Sequence, residues 1–160
     1  ELRDAMKMTG DSMDIQLLFM GMALGVKTAR CVRNDTFVVT SSAGLGDLLI
    51  DMHLGLSAEQ MVVLALDVQH HVINTKVLFK GTVSHTPVHP REIMKFLVSE
   101  NAESFIICHN HPGGSTNPSE ADIDFTNRLN ECGQMMGIEL LDSFIVTSAE
   151  YTSLREEGVM

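Results

Sequence analysis

Ile15, Leu18, Phe19 and Met22 recur at i, i+3, i+4 and i+7, with Asp11 or Ser12 placed to cap and Gly25 placed to stop. That spacing predicts an amphipathic helix within residues 1–40. After Asn34-Asp35, a turn signal, the β-branched stretch Thr36 to Thr40 predicts a short strand. Helical spacing returns over Ser42 to Gly55, where Leu45, Leu48, Leu49 and Met52 share a face. Glu59 then opens a strand whose core, Met61 to Leu66, is almost continuously apolar, as expected where both faces of a sheet are covered. Val72 to Phe79 is its predicted hairpin partner across Asp67 to His71. Pro90 stands at the first position of a helix that buries Ile93, Phe96 and Leu97. Ser104 to His109 reads as a strand, Ser119 to Met136 as a helix stopped by Gly137, and Ile138 to Thr147 as a last strand. This alternation, without repeats or a linker, predicts an α/β domain over residues 41–160 behind a short, partly helical N-terminal segment, residues 1–40.

A chain of 160 residues with 44% apolar and 20% charged residues is long enough for one full core. No apolar run approaches the roughly 20 residues of a membrane span, and no secretory signal pattern is present, so a soluble protein is expected. Cys31, Cys108 and Cys132 are odd in number and widely spaced, which fits neither a zinc ribbon nor a disulfide scaffold and suggests a reducing cytoplasm. The net charge is −10, and it is unevenly distributed: residues 1–40 balance five basic against five acidic groups, while residues 41–160 carry six against sixteen. A general electrostatic hold on nucleic acid is therefore not favoured. Five of the 11 methionines, Met6, Met8, Met13, Met20 and Met22, fall in the first segment, where helical spacing makes them core or docking surface and not ligands.

The candidate chemistry lies just beyond the strand Ser104 to Cys108. In a strand, residues i and i+2 project from one face, so His109 and His111 can meet one ion. Eight residues past His111 is Ser119, and three further is Asp122, on the first turn of the next helix. Two imidazoles and one carboxylate suit Zn²⁺ with a fourth position open, the catalytic pattern. Pro112 to Pro118, rich in Gly and Pro, can fold tightly enough to return the helix start to the strand end. Taken alone, Ser119 to Asp122 reads first as a capping box, and an isolated His-x-His is usually only surface or core. The conjunction of the two pairs favours the metal. Cys108 points to the opposite face and reads as a small core residue. His53, His70, His71, His85 and His89 have no partners at metal spacing, with His70 and His71 on a hairpin turn. Glu156-Glu157 reads as a solvated face.

His109-Asn110-His111, seven residues, Ser119, two residues and Asp122 resembles the JAB/MPN (JAMM) metalloprotease motif. A finer resemblance is to its RadC-like branch, carried by Gly81-Thr82, Pro90-Arg91-Glu92, His109 to Gly114, Asn117-Pro118-Ser119, Thr126, Leu129, Leu141-Asp142 and Ser153 to Gly158. It extends over residues 41–160. Residues 1–40 do not resemble the helix-hairpin-helix region usual in that branch. Ser143 stands where the branch has His after Leu-Asp, and the second Gly of Gly113-Gly114 replaces a common Ser. The resemblance implies a mixed sheet flanked by helices, with the layering of cytidine deaminases. It also implies that Glu59, eight residues before Asp67, holds the attacking water, takes its proton and passes it to the leaving amine. Ser119 would donate to the oxyanion.

The expected activity is therefore a zinc-dependent hydrolase acting on a peptide or protein-conjugate substrate. Two other readings compete. One is a DNA-associated protein, which the RadC name suggests but these acidic residues do not; the nuclease motif spelled with the same three letters distributes its residues through a ββα unit, whereas here they are contiguous. The other is a non-catalytic MPN scaffold, a type that typically lacks part of the ligand set present here.

Overall fold

The strands at the centre of this domain are apolar without interruption because helices cover both sides of the sheet. The computed structural model describes residues 37–80 and 88–160. In chain order these form α1 (Ser42–His53), β1 (Gln60–Leu66), β2 (Val72–Lys80), α2 (Pro90–Ser99), β3 (Ser104–Asn110), α3 (Glu120–Met136), β4 (Glu139–Val146) and β5 (Tyr151–Ser153). One five-stranded sheet has the order β2-β1-β3-β4-β5. Only β3 and β4 run parallel, joined through α3; the other pairs are antiparallel. The result is the mixed, helix-flanked sheet that the resemblance implied.

Alternate residues along β1 and β3 feed two separate cores. Val63, Ala65, Phe105 and Ile107 pack with Ile93, Phe96 and Leu97 of α2 and Leu129 of α3. Val62, Leu64, Leu66, Ile106 and Cys108 pack with Leu45 and Leu49 of α1 on the other face. β4 would keep the same alternation, but its register slips between Phe105 and Ile106: Phe105 pairs with Leu140, and Ile106 with Asp142. The extra residue, Leu141, reverses the facing of everything that follows in β4. Ser143 consequently turns to α3, where its Oγ accepts a hydrogen bond from the Thr126 hydroxyl at 3.1 Å.

The helix ends match their sequence signals. Ser41 caps α1, accepting from the Gly44 N–H. His89 caps α2 with Pro90 just inside it, and Gly137 closes α3 in the left-handed conformation at φ 70°.

Two sequence expectations differ from the structure. Residues 37–40 make no strand, contributing one bridge from Val38 to His71. The strand predicted over Ile138 to Thr147 is β4, but it is not the last, because Thr147 turns the chain after Val146: its hydroxyl oxygen accepts from the Ala149 and Glu150 N–H groups, and β5 returns antiparallel to β4. The helix predicted within residues 1–40, His85 and Gly81-Thr82 lie outside the described residues.

Candidate metal centre

β3 ends at Asn110, so His109 occupies its last turn of the pleat and His111 follows directly. His109 is paired with Met61 of β1 and Ile145 of β4, and the His111 N–H reaches the Val146 carbonyl at 2.8 Å. Both histidines are thus held by backbone bonds at the carboxyl end of a parallel strand pair, where open α/β sheets form their binding crevices. The connection to α3 then folds back. Gly114 supplies a positive φ of 89°, its N–H bonds to the His111 carbonyl, and the Ser115 carbonyl comes within 2.8 Å of His111 Nδ1. A carbonyl can only accept, so Nδ1 carries the proton and leaves Nε2 of a neutral ring with its lone pair free for a metal.

Asp122 serves as both cap and candidate ligand. As the third residue of α3 it completes the capping box: Oδ2 accepts from the Ser119 N–H at 2.9 Å and the Ser119 hydroxyl at 2.6 Å. Its other oxygen, Oδ1, lies 3.4 Å from His109 Nε2, and Oδ2 lies 3.8 Å from His111 Nε2. The two Nε2 atoms are 3.0 Å apart, and the donor atoms of His109, His111 and Asp122 fall within 4.8 Å of one another. Tetrahedral Zn²⁺ with bonds near 2.1 Å requires donor separations of about 3.4 Å, so donor type and spacing both fit a metal of that kind.

The electrostatics favour the metal-binding forms. Burial drives the His109 pKa down to about 4; Asp122 opposes this, while His111 and His53 add to it. Burial pushes the Asp122 carboxyl up, but the Ser119 hydroxyl, the two imidazoles and the Ser119 backbone N–H outweigh it and hold the group below its ordinary value. Cys108, on the opposite sheet face, has its thiol pushed far up by burial and is no nucleophile.

Glu59 lies outside the three-residue group. It is exposed and stands one residue before β1, whose Met61 pairs with His109 of β3. His70 and His71 decorate the β1–β2 turn, with His71 Nδ1 3.1 Å from Asp67, and Glu156 and Glu157 are exposed, as expected. Two residues carried more than their sequence suggested. His53 is buried, its Nδ1 donating to the Leu49 carbonyl at 2.7 Å while its Nε2 has no partner among the described residues. Asn110 is 3% exposed and bonded to the segment that carries Glu59. No local pattern signals either contact. A cavity of 720 Å³ opens at the other end of the sheet, beside Glu103, Ser104 and Glu139, and is lined by none of His109, His111, Asp122 and Glu59; the ligand set, and not cavity size, marks the site.

The family model of the RadC-like JAB domain matches residues 39–159. Among curated relatives, a UPF0758 protein of Latilactobacillus sakei is 45% identical over 123 residues, covering 77% of this chain and 55% of its own length. A UPF0758 protein of Clostridium beijerinckii is 40% identical over 134 residues, covering 84% of this chain and 58% of the relative. One from Staphylococcus aureus is 41% identical over 135 residues, covering 84% and 62%. The chain thus spans little more than half the length of the curated relatives it matches. With a family match over three quarters of its residues and a His-His-Asp group at the end of β3, the chain belongs to the RadC-like JAB domain family.

Proposed function

We propose that this domain is a zinc-dependent hydrolase of the JAMM type that cleaves a peptide or isopeptide bond. The observation that supports it most is the convergence of two imidazole nitrogens and one carboxylate oxygen within 4.8 Å, on side chains that stay 14 to 22% exposed. Three ligands and solvent access are the catalytic, not the structural, arrangement. Zinc held there would act as a Lewis acid and bring a water's pKa near 7.

The chain's own groups would do the rest. Glu59, at the mouth of β1, would take a proton from the attacking water and deliver it to the leaving nitrogen. Ser119 would donate to the oxyanion. Its single hydroxyl proton is given to Asp122 Oδ2 in this structure, so that role requires the hydroxyl to turn away. The Ser119 backbone N–H, 2.9 Å from the same oxygen, keeps Asp122 in place when it does. A peptide or protein conjugate as substrate follows from this chemistry, and the loops about the site would select it.

Metal analysis of the purified protein tests the reading. About one zinc per chain is expected, and none after replacing both His109 and Asp122 by Ala. Stoichiometric zinc in the doubly substituted protein would overturn the assignment.

A further inference from the structure

Asn110 sits between the two histidines in sequence but faces away from them, because successive strand residues point to opposite sides. Its side chain is nearly all buried and makes two hydrogen bonds across to the start of β1. Oδ1 accepts from the Gln60 N–H at 2.7 Å, and Nδ2 donates to the Ala58 carbonyl at 3.1 Å. The two bonds hold the residue before Glu59 and the residue after it. With the preceding carbonyl and the following N–H both tied to the end of β3, the backbone of Glu59 has little freedom to swing. Among the described residues, the Glu59 carboxylate itself has no hydrogen-bond or ion-pair partner, so this backbone hold is what sets its place.

We propose that Asn110 is a positioning residue, clamping Ala58–Gln60 to the end of β3 and thereby fixing where Glu59 stands relative to His109 and His111. The inference rests on the reading of Glu59 as the general base. The residue type follows from the task. One short planar side chain must offer an acceptor and a donor at once; Asp lacks the donor and would add a second carboxylate beside the metal ligands, and Gln carries the amide one methylene too far. The same strand therefore supplies two ligands from one face and, from the other, the clamp for the base. The metal site and its proton acceptor are registered to each other through three consecutive residues.

The test uses cobalt(II) in place of zinc and carboxyl-carbon NMR, together with amide exchange. In the unsubstituted protein, the Glu59 carboxyl carbon should show a large cobalt-induced shift relative to the zinc form, and the Gln60 amide should be protected. In Asn110→Ala, which should keep the metal, Gln60 exchange should rise about tenfold or more, because its buried acceptor is gone. The Glu59 shift should shrink, while that of Glu120 at the start of α3 stays. A Glu59 shift and a Gln60 exchange rate both unchanged in Asn110→Ala overturn the clamp and leave the hydrolase reading standing. A Glu59 carbon with no cobalt-induced shift in the unsubstituted, cobalt-loaded protein overturns the general-base reading, and the clamp's role with it. Should Asn110→Ala not fold, Asn110→Ser gives the same comparison, and a Gln60 amide that exchanges as fast as an unbonded one in the unsubstituted protein also overturns the clamp.

Discussion

The two oxygens of Asp122 have separate duties. One closes a capping box with Ser119, and the other faces His109. The capping and metal readings of Ser119 to Asp122, which compete in the sequence, are therefore compatible in one side chain, because a carboxylate has acceptor capacity on both oxygens. Glu59 is expected to play no part in ligation, since two imidazoles, one carboxylate and a solvent molecule complete a tetrahedral set. Glu59→Gln should retain zinc and lose hydrolysis by a factor of about 10² to 10⁴, because an amide can hold water but accepts no proton. Paired zinc content and turnover on a cleaved peptide or isopeptide decide it; full activity would place the base elsewhere, and loss of zinc would make Glu59 a ligand.

His109 carries a pH signature of its own. Its folded pKa is depressed from 6.5 to about 4, chiefly by burial. Between those values the unfolded chain binds a proton that the folded chain does not, so stability rises with pH across the window and falls on acidification. In metal-free protein the loss from about pH 7.5 to about pH 5 should be about 2 kcal/mol. Urea unfolding in the presence of a chelator would measure it. His109→Gln should abolish this component, and an equal acid loss in that variant would assign the sensitivity to other groups.

At the level of elements, the site depends on how α3 lies against the sheet. Thr126, one turn beyond Asp122, bonds to Ser143 of β4, and Gly133 in the last part of the helix lets the backbone of Ile138 approach. A Cβ at Gly133 would collide with the Ile138 carbonyl oxygen and press on the ring of Phe105. Gly133→Ala should therefore cost about 1 to 3 kcal/mol, more than any gain in helix propensity returns. Thermal unfolding reads this directly, and an unchanged or raised midpoint would show that α3 can shift without cost. The Ser153 to Gly158 motif proves to be an anchor for the same region. Asp142 Oδ2 accepts from the Ser153 hydroxyl at 2.6 Å, its Oδ1 from the Ser143 and Arg155 N–H groups, and Arg155 donates to the Leu141 carbonyl. These bonds tie the chain end to the bulge that aims Ser143.

For the domain as a whole, charge sets the expectation for nucleic acid. Residues 41–160 carry 16 acidic and six basic groups, a net of −10. The basic ones are divided among β2 (Lys76, Lys80), α2 (Arg91, Lys95), α3 (Arg128) and the stretch after β5 (Arg155). Several are already engaged, with Lys76 over the Phe96 ring and Arg91 beside Glu92. Duplex DNA should accordingly bind weakly at physiological salt. Fluorescence anisotropy across a salt series checks this, and tight binding with a steep slope, the mark of many phosphate contacts, would restore the DNA-associated reading. Among the described residues, no helix is long and apolar enough to cross a membrane.

What the sequence by itself determined is what short range can encode. His109 and His111 share a face because strands alternate, Asp122 returns through a Gly/Pro turn to a helix start that its own capping box defines, and continuous apolar runs mark strands covered twice. Each follows from residues close along the chain. The tertiary structure alone decided the rest. Leu141 becomes a bulge only because β3 and β4 must match both cores, and that slip, invisible in the run of residues, turns Ser143 toward α3. β5 exists because Thr147 reverses the chain against an edge that β4 leaves open. Asn110 meets residues 50 and 52 positions earlier, and His53 affects His109 from α1. No periodicity links such pairs, because what joins them is the pairing of β1 with β3 and the packing of α1, and those are set by burial across the whole domain.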